Sequence, residues 1–173
     1  DIIAPRLLHT SCREAEALGS AVWLWMHSAG HRDAPLKVLP AVLLPAIKTG
    51  QFVLATDAGK PVFYLSWASF SEEAEARYLS NLPEQMPHAD WASGDRVWLL
   101  DWVAPFGHTR ILRHIVAQLF SDCCLRSLCH RGDERGLRVM EHRGIAVLKD
   151  EARAWFLDHP ITHARSLTGD NPR

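Results

Sequence analysis

The chain has 173 residues, 47% of them hydrophobic and 23% charged, with a formal net charge of −1. That length suits one domain, the composition is globular rather than disordered or fibrous, and the charge excludes a simple polycation and gives no support to nucleic-acid binding. No apolar run approaches the ~20 residues that would span a bilayer. The first residues also lack the charge, apolar core and small-residue site of a signal peptide, so a cytoplasmic location is the default expectation. Seven tryptophans require a deep core or a hydrophobic groove. Cys12, Cys123, Cys124 and Cys129 contain no C-x-x-C pair and read as free thiols in a reducing compartment. A zinc site from Cys123, Cys124, Cys129 and His130 would match no standard spacing, so no metal is expected.

Taken in chain order, residues 1–10 and 161–173 are expected to be flexible ends around a single domain over 11–160. Ser11 and Glu14 read as a capping box, and Ala15, Leu18, Val22, Trp25 and Met26 recur at helical spacing, predicting a helix over 12–27. Gly30 lets the chain leave it. Residues 36–48 have helical apolar spacing, but Pro40 and Pro45 predict a broken helix. "QFVLAT" and "PVFYLSW" flank the turn "DAGK", predicting a hairpin of 51–56 with 61–67. Ser71, with Glu72 and Glu73, starts a helix to about 80. Residues 81–95 form a loop, and in "ASGDRVW", 92–98, Asp95 and Arg96 read as a turn with a solvated ion pair. A strand over 96–103 and a loop over 104–108 come next. Thr109 then caps a helix with Ile111, Leu112, Ile115, Val116, Leu119 and Phe120 on one face. Strands at 124–130 and 136–142 and a helix over 149–158 complete the chain. This order predicts an α/β (α+β) mixed sheet with helices on its faces. The N-acetyltransferase-like fold fits that order, although the loop "APFGHT" has one glycine where a pyrophosphate cradle needs several.

Two stretches could carry chemistry. In "VWLLDWVAPFG", Asp101 sits inside an apolar strand, and a lone buried carboxylate costs several kcal/mol unless paired. In "WLWMHSAGHRDAP", Gly30 separates His27 from His31, which argues against a helical metal pair. Taken alone, His31 reads as a loop histidine, Ser28 as a helix-end residue and His27 as a partner of the helix dipole. Arg110, Arg113, Arg126, Arg131, Arg135, Arg138 and Arg143 form a diffuse basic set, part solvated face and part docking surface for an acidic partner.

"WLWMHSAGHRDAP", "LLPAI", "YLSWASF" and "WASGDRVWLLDWVAPFG" occur in this order from about Leu18 to Gly107. With "LRVMEHRG" as a weaker extension, they resemble the toxin-activating lysine acyltransferases, the hemolysin-activating protein C type. That resemblance implies transfer of a fatty acyl group from acyl-acyl carrier protein to an internal lysine of an RTX protoxin. It further implies a cytoplasmic setting, an N-acetyltransferase-like fold and a homodimer. The family's essential histidine falls on His31, its important aspartate on Asp101 and its serine on Ser28. Val42 stands where relatives often carry asparagine, and Leu65 where cysteine is common.

The chemistry agrees with this. A lysine amine, with its ordinary pKa of about 10.4, must lose a proton before attacking a thioester. An imidazole can take that proton, and a facing carboxylate fixes the ring's tautomer. Asp101 is therefore expected to orient His31, with donor binding by Trp98, Trp102, Gly107, Thr109, Arg110 and Arg113. A carrier protein brings its own pantetheine arm and dispenses with the pyrophosphate loop. No bound cofactor is expected. The alternatives are a coenzyme A-dependent N-acetyltransferase for a small amine, and a non-catalytic module that binds the toxin or the carrier.

Overall fold

The computed structural model describes residues 1–129 and 138–161. Among them are strands β1 (Ile2–Ile3), β2 (Phe52–Asp57), β3 (Lys60–Phe70), β4 (Arg96–Val103), β5 (Cys124–Leu128) and β6 (Val139–Arg143). They lie in one sheet in sequence order. Every pairing is antiparallel except β4 with β5. Helices α1 (Pro5–Leu8), α2 (Glu14–Met26), α3 (Leu39–Val42), α4 (Leu44–Thr49), α5 (Glu72–Ser80), α6 (Thr109–Leu119) and α7 (Lys149–Asp158) accompany it. The expected mixed sheet with helices on its faces is thus present, in an order consistent with an acetyltransferase-like fold.

Three buried clusters follow from the strand alternation, the third formed by Phe70, Tyr78, Met86, Trp91 and Trp98. Val53, Phe63, Leu65 and Trp67 point to the face covered by α6 through Leu112, Val116 and Phe120. Phe52, Leu54, Tyr64 and Val103 point to the face covered by α2 and α4 through Ala21, Leu24, Leu43 and Ile47. Pro40 and Pro45 break 36–49 into a 3-10 turn and two short helices, as their missing amide hydrogens require.

Several expectations need correction. Residues 1–10 are not a loose end. Ile2 and Ile3 pair with Ala55 and Leu54, covering the edge that β2 would otherwise expose, and Ala4 is fully buried. Ser11 does not cap α2. The helix starts at Glu14, with Arg13 at its N-cap, so Glu14 lies too early in the first turn to complete a capping box and instead faces the positive helix end. Thr109 is the first residue of α6 rather than its cap, which is His108. Arg96 is not in a solvated pair with Asp95. It is buried, with Nη1 donating to Glu75 Oε2 at 2.6 Å. The start of the strand expected at 136–142, and nearly all of the tail at 161–173, lie outside the described residues, as do His130, Arg131 and Arg135.

The site depends on one irregularity. Opposite β3, Asp101 pairs with Ser66 and Leu99 with Trp67, leaving Leu100 as an extra residue. This bulge resets the alternation. Without it Asp101 would share the face of Val97 and Leu99. With it, Asp101 turns to the α2 side, alongside Val103 and Ser66. The β4–β5 ladder also stops there, pairing Val97–Leu99 with Leu125–Ser127 and going no further. Leu100–Val103 continue without a β5 partner, and the sheet opens as a wedge.

Candidate acyl-transfer site

α2 ends at Met26, and a tight turn follows in which the Ser28 carbonyl accepts from the amides of His31 and Arg32. The turn folds His31 back against Trp25, ring centroids 4.9 Å apart, and sets Ser28 Oγ 2.8 Å from His31 Nδ1. On the other side of the ring, His31 Nε2 stands 3.0 Å from Asp101 Oδ1. The second oxygen, Oδ2, accepts the indole N–H of Trp25 at 2.9 Å. Asp101 is therefore held from two sides, with its side chain 9% exposed and that of His31 27% exposed.

Because Asp101 accepts from Trp25 on one oxygen, the consistent pattern is that it accepts from His31 on the other. The Nε2 hydrogen then faces the carboxylate, and Nδ1 is left as the acceptor for the Ser28 hydroxyl. Two nearby phenols, Tyr64 and Tyr78, are pushed well above the usual tyrosine range, by burial first and by the charge of Asp101 second. They stay neutral and are not bases.

Two cavities meet at the wedge. One, of about 700 Å³, contains His31 and Asp101 beneath an apolar wall that includes Trp25, Val38, Val42, Tyr78, Met86 and Trp91. The other, of about 710 Å³, lies between α6 and the β5–β6 pair, and Arg113, Ser127, His142 and Arg143 line it. Leu100, Asp101, Trp102 and Leu128 border both, so the carboxylate stands at their junction. Trp102 Nε1 and Trp91 Nε1 are buried without a hydrogen-bond partner among the described residues.

The structure brings His31, Asp101, Trp102 and Arg113 to these cavities, and sets Ser28, which lines neither, against His31. It does not bring Trp98. That indole is fully buried and donates to Glu75 Oε1 at 2.7 Å, so it is a core residue rather than a donor contact. Gly107 takes a left-handed φ of 84°, which the turn between β4 and α6 needs and a side chain would resist. Gly107, Thr109 and Arg110 are exposed and line neither cavity. Met86 was missed, and Trp25 and Trp91 were expected only as tryptophans of a core or groove, with no individual role. For Trp25 a signal existed, because it lies two turns of chain before His31 in a tryptophan-rich helix. Met86 and Trp91 come from a segment read as plain loop. Among the described residues, no group of three or more His, Cys, Asp or Glu side chains could hold a metal ion. No helix there is long and apolar enough to cross a membrane.

The sheet order is consistent with an acetyltransferase-like fold, and the family comparison places the chain among the acyltransferases. More specifically, it belongs to the RTX toxin acyltransferase family, whose model matches residues 10–143. It is 39% identical over 153 residues to the protein-lysine palmitoyltransferase CyaC of Bordetella bronchiseptica, covering 87% of this chain and 82% of that one. It is 40% identical over 111 residues to the leukotoxin-activating lysine-acyltransferase LktC of Mannheimia haemolytica serotype A1. The protein-lysine myristoyltransferase RtxC of Kingella kingae matches to the same extent. Each of these two alignments covers 64% of this chain and 66% of the relative, just under two thirds of its length.

Proposed function

We propose that this chain transfers a fatty acyl group from acyl-acyl carrier protein to the ε-amine of an internal lysine in an RTX protoxin, in the cytoplasm. It would do so as a homodimer whose acyltransferase domain occupies residues 11–160. The observation that carries the reading is the relay Ser28 Oγ–His31 Nδ1–His31 Nε2–Asp101 Oδ1, with links of 2.8 and 3.0 Å, whose Asp101 stands where two cavities meet. The names of the relatives supply the substrate class: lysine as acceptor, and myristoyl or palmitoyl groups as cargo.

In this reading the acyl chain lies in the cavity walled by Trp25, Tyr78, Met86 and Trp91. At about 700 Å³ it falls within the ~300–1,000 Å³ range of small-ligand clefts. The lysine nitrogen attacks the thioester carbon, the C–S bond breaks and an amide forms. The lysine ammonium first releases one proton to solvent; as the amine attacks, its second proton passes to Ser28 Oγ while the serine proton moves to His31 Nδ1, and the imidazolium returns a proton to the departing thiolate. Asp101 holds the ring and stabilises its positive form, and Trp25 holds Asp101. Pro105 and the single Gly107 leave the 104–108 loop poorly suited to a pyrophosphate, which favours a carrier-bound donor over coenzyme A.

The test is co-expression of a candidate RTX protoxin with this chain or its His31→Ala variant, followed by mass spectrometry of the toxin. Fatty-acyl lysine is expected with the first and not with the second. Purified enzyme is then given palmitoyl-acyl carrier protein or palmitoyl-coenzyme A. Unmodified toxin, or equal rates from both donors, would contradict the reading.

A further inference from the structure

The basic residues that look diffuse in the sequence are sorted by the fold. Arg126 is withdrawn into the core, its side chain 2% exposed and bonded to Glu75. Arg113 and Arg143 remain exposed at the edge of the cavity between α6 and β6. A second surface groove, of about 520 Å³, runs between β6 and α7. His142 and Arg143, neighbours on the edge strand β6, border both openings.

The α7 face toward this groove is Lys149, Ala152, Arg153, Phe156 and Leu157, the i, i+3, i+4, i+7, i+8 stripe of one helix side. The acidic residues Asp150, Glu151 and Asp158 do not line it. Glu141 does, but it reaches toward the buried Arg126 at 3.9 Å. Lys149 and Arg153 have no ion-pair partner among the described residues. Apolar surface lines the groove beside the cations, with Phe156 and a Leu157 that is 72% exposed. The combination is a basic rim around an exposed leucine, across the edge strand β6 from the cavity that Asp101 borders.

We propose that the α7–β6 groove, with Lys149, Arg153, Arg143 and Arg113, is the docking surface for an acidic carrier protein, whose pantetheine arm enters the wedge past Arg113 and Arg143. This rests on the acyl-carrier reading given above and assigns its partner a place. The charge sign fits an acidic partner and the arm's phosphate. The exposed leucine fits the apolar part of such a partner's surface. Burial, followed by the charge of Arg113, holds His142 below the usual histidine range. Arg113 thus acts across the gap between α6 and β6, where the phosphate would sit.

The experiment compares two donors, palmitoyl-acyl carrier protein and carrier-free palmitoyl-pantetheine, in lysine acylation by the intact chain. The variants are Lys149→Glu/Arg153→Glu, the milder Lys149→Ser/Arg153→Ser, and Lys48→Glu in the separate cavity beside the N-terminal segment. The charge-reversed pair should lower kcat/KM for the carrier donor roughly 10-fold or more relative to palmitoyl-pantetheine, and flatten its salt dependence. The serine pair should fall between, and Lys48→Glu should leave the ratio unchanged. If the wild type uses the carrier donor and the charge-reversed pair keeps the same ratio and salt slope, the docking surface is wrong. If the wild type ignores the carrier donor, the functional reading fails and takes the docking surface with it.

Discussion

Asp101 binds His31 at 3.0 Å through one carboxylate oxygen and the indole of Trp25 at 2.9 Å through the other. The two hydrogen bonds use different oxygens, so each can be removed separately. Asp101→Asn keeps the shape and replaces one acceptor oxygen by a donor, which sets Nε2–H against N–H. It should lower kcat by about 10²–10⁴. Trp25→Phe keeps the ring packing and removes only the second bond. A hydrogen bond to a charged group contributes about 1.5–3 kcal/mol, so a loss of about 10-fold or more in kcat is expected. Thermal melting of both variants checks that the fold survives. Full activity in Asp101→Asn would separate the pair from the chemistry.

Ser28 Oγ lies 2.8 Å from His31 Nδ1, a distance that suits either a proton relay or a nucleophile. A relay leaves no covalent trace. Wild-type protein mixed with palmitoyl-acyl carrier protein in the absence of acceptor should keep its intact mass, and Ser28→Ala should retain a measurable rate. A palmitoyl adduct that Ser28→Ala abolishes would instead make Ser28 the nucleophile.

Most of this architecture was legible because its signals are local. Ser71 caps α5 as its type and place suggest, with Ala74 N donating to its hydroxyl. The continuous apolar run of β4 and the apolar face of α6 mark themselves. The tertiary signals were not legible. Nothing near Ile2 shows that β2 needs an edge partner, so the N-terminal strand reads as a tail. The pairing of Asp101 was legible as a need, because burial of a carboxylate demands a partner. Its direction was not, because it depends on the bulge at Leu100, which exists only in register with β3. Trp98 and Trp102 look equivalent in "VWLLDWV". The same bulge separates them, sending one into the core against Glu75 and the other to the wedge.

Glu75 is 2% exposed and accepts from Arg96 at 2.6 Å, Trp98 at 2.7 Å and Arg126 at 2.9 Å. Arg96 also donates to the Pro160 carbonyl and Arg126 to that of His159, which ties the end of α7 to the sheet. Glu75→Ala would leave two guanidinium groups buried without their central acceptor. Breaking a buried pair in this way costs about 3–5 kcal/mol, or roughly 6–20 °C in Tm for a chain of this size. Denaturant and thermal unfolding measure it. A fall within experimental scatter would show that the network contributes nothing net.

His142 lies partly buried against the wedge, and its pKa is held below the ordinary 6.5, by desolvation first and Arg113 second. Between the folded and unfolded values, the unfolded chain binds a proton that the folded chain does not. Stability therefore rises with pH through that window, and it declines as pH falls below about 6.5. His142→Gln removes the titrating group and should flatten this part of the profile, while leaving the hydrogen bond to Ser127, now 2.9 Å, open to the amide. Unfolding free energies at pH 7.5 and about 5.5 compare the two proteins. Parallel profiles would mean that His142 does not titrate between the states.

Met86 belongs to the cavity proposed for the acyl chain rather than to the relay. It is buried beside Tyr78 and Trp91 in the wall away from the wedge. A wall residue that limits chain length should act on donor preference and not on proton transfer. Met86→Trp fills space that a long acyl chain would use, so the ratio of kcat/KM for palmitoyl over lauroyl donor should fall, by about 10-fold if a few methylenes lose their burial at about 0.8 kcal/mol each. Met86→Ala should raise the ratio or leave it high. Overpacking costs about 1–3 kcal/mol, but it lowers both donors together and cancels in the ratio. An unchanged ratio in a folded Met86→Trp protein would place the acyl chain elsewhere, with the cavity between α6 and β6 as its remaining site.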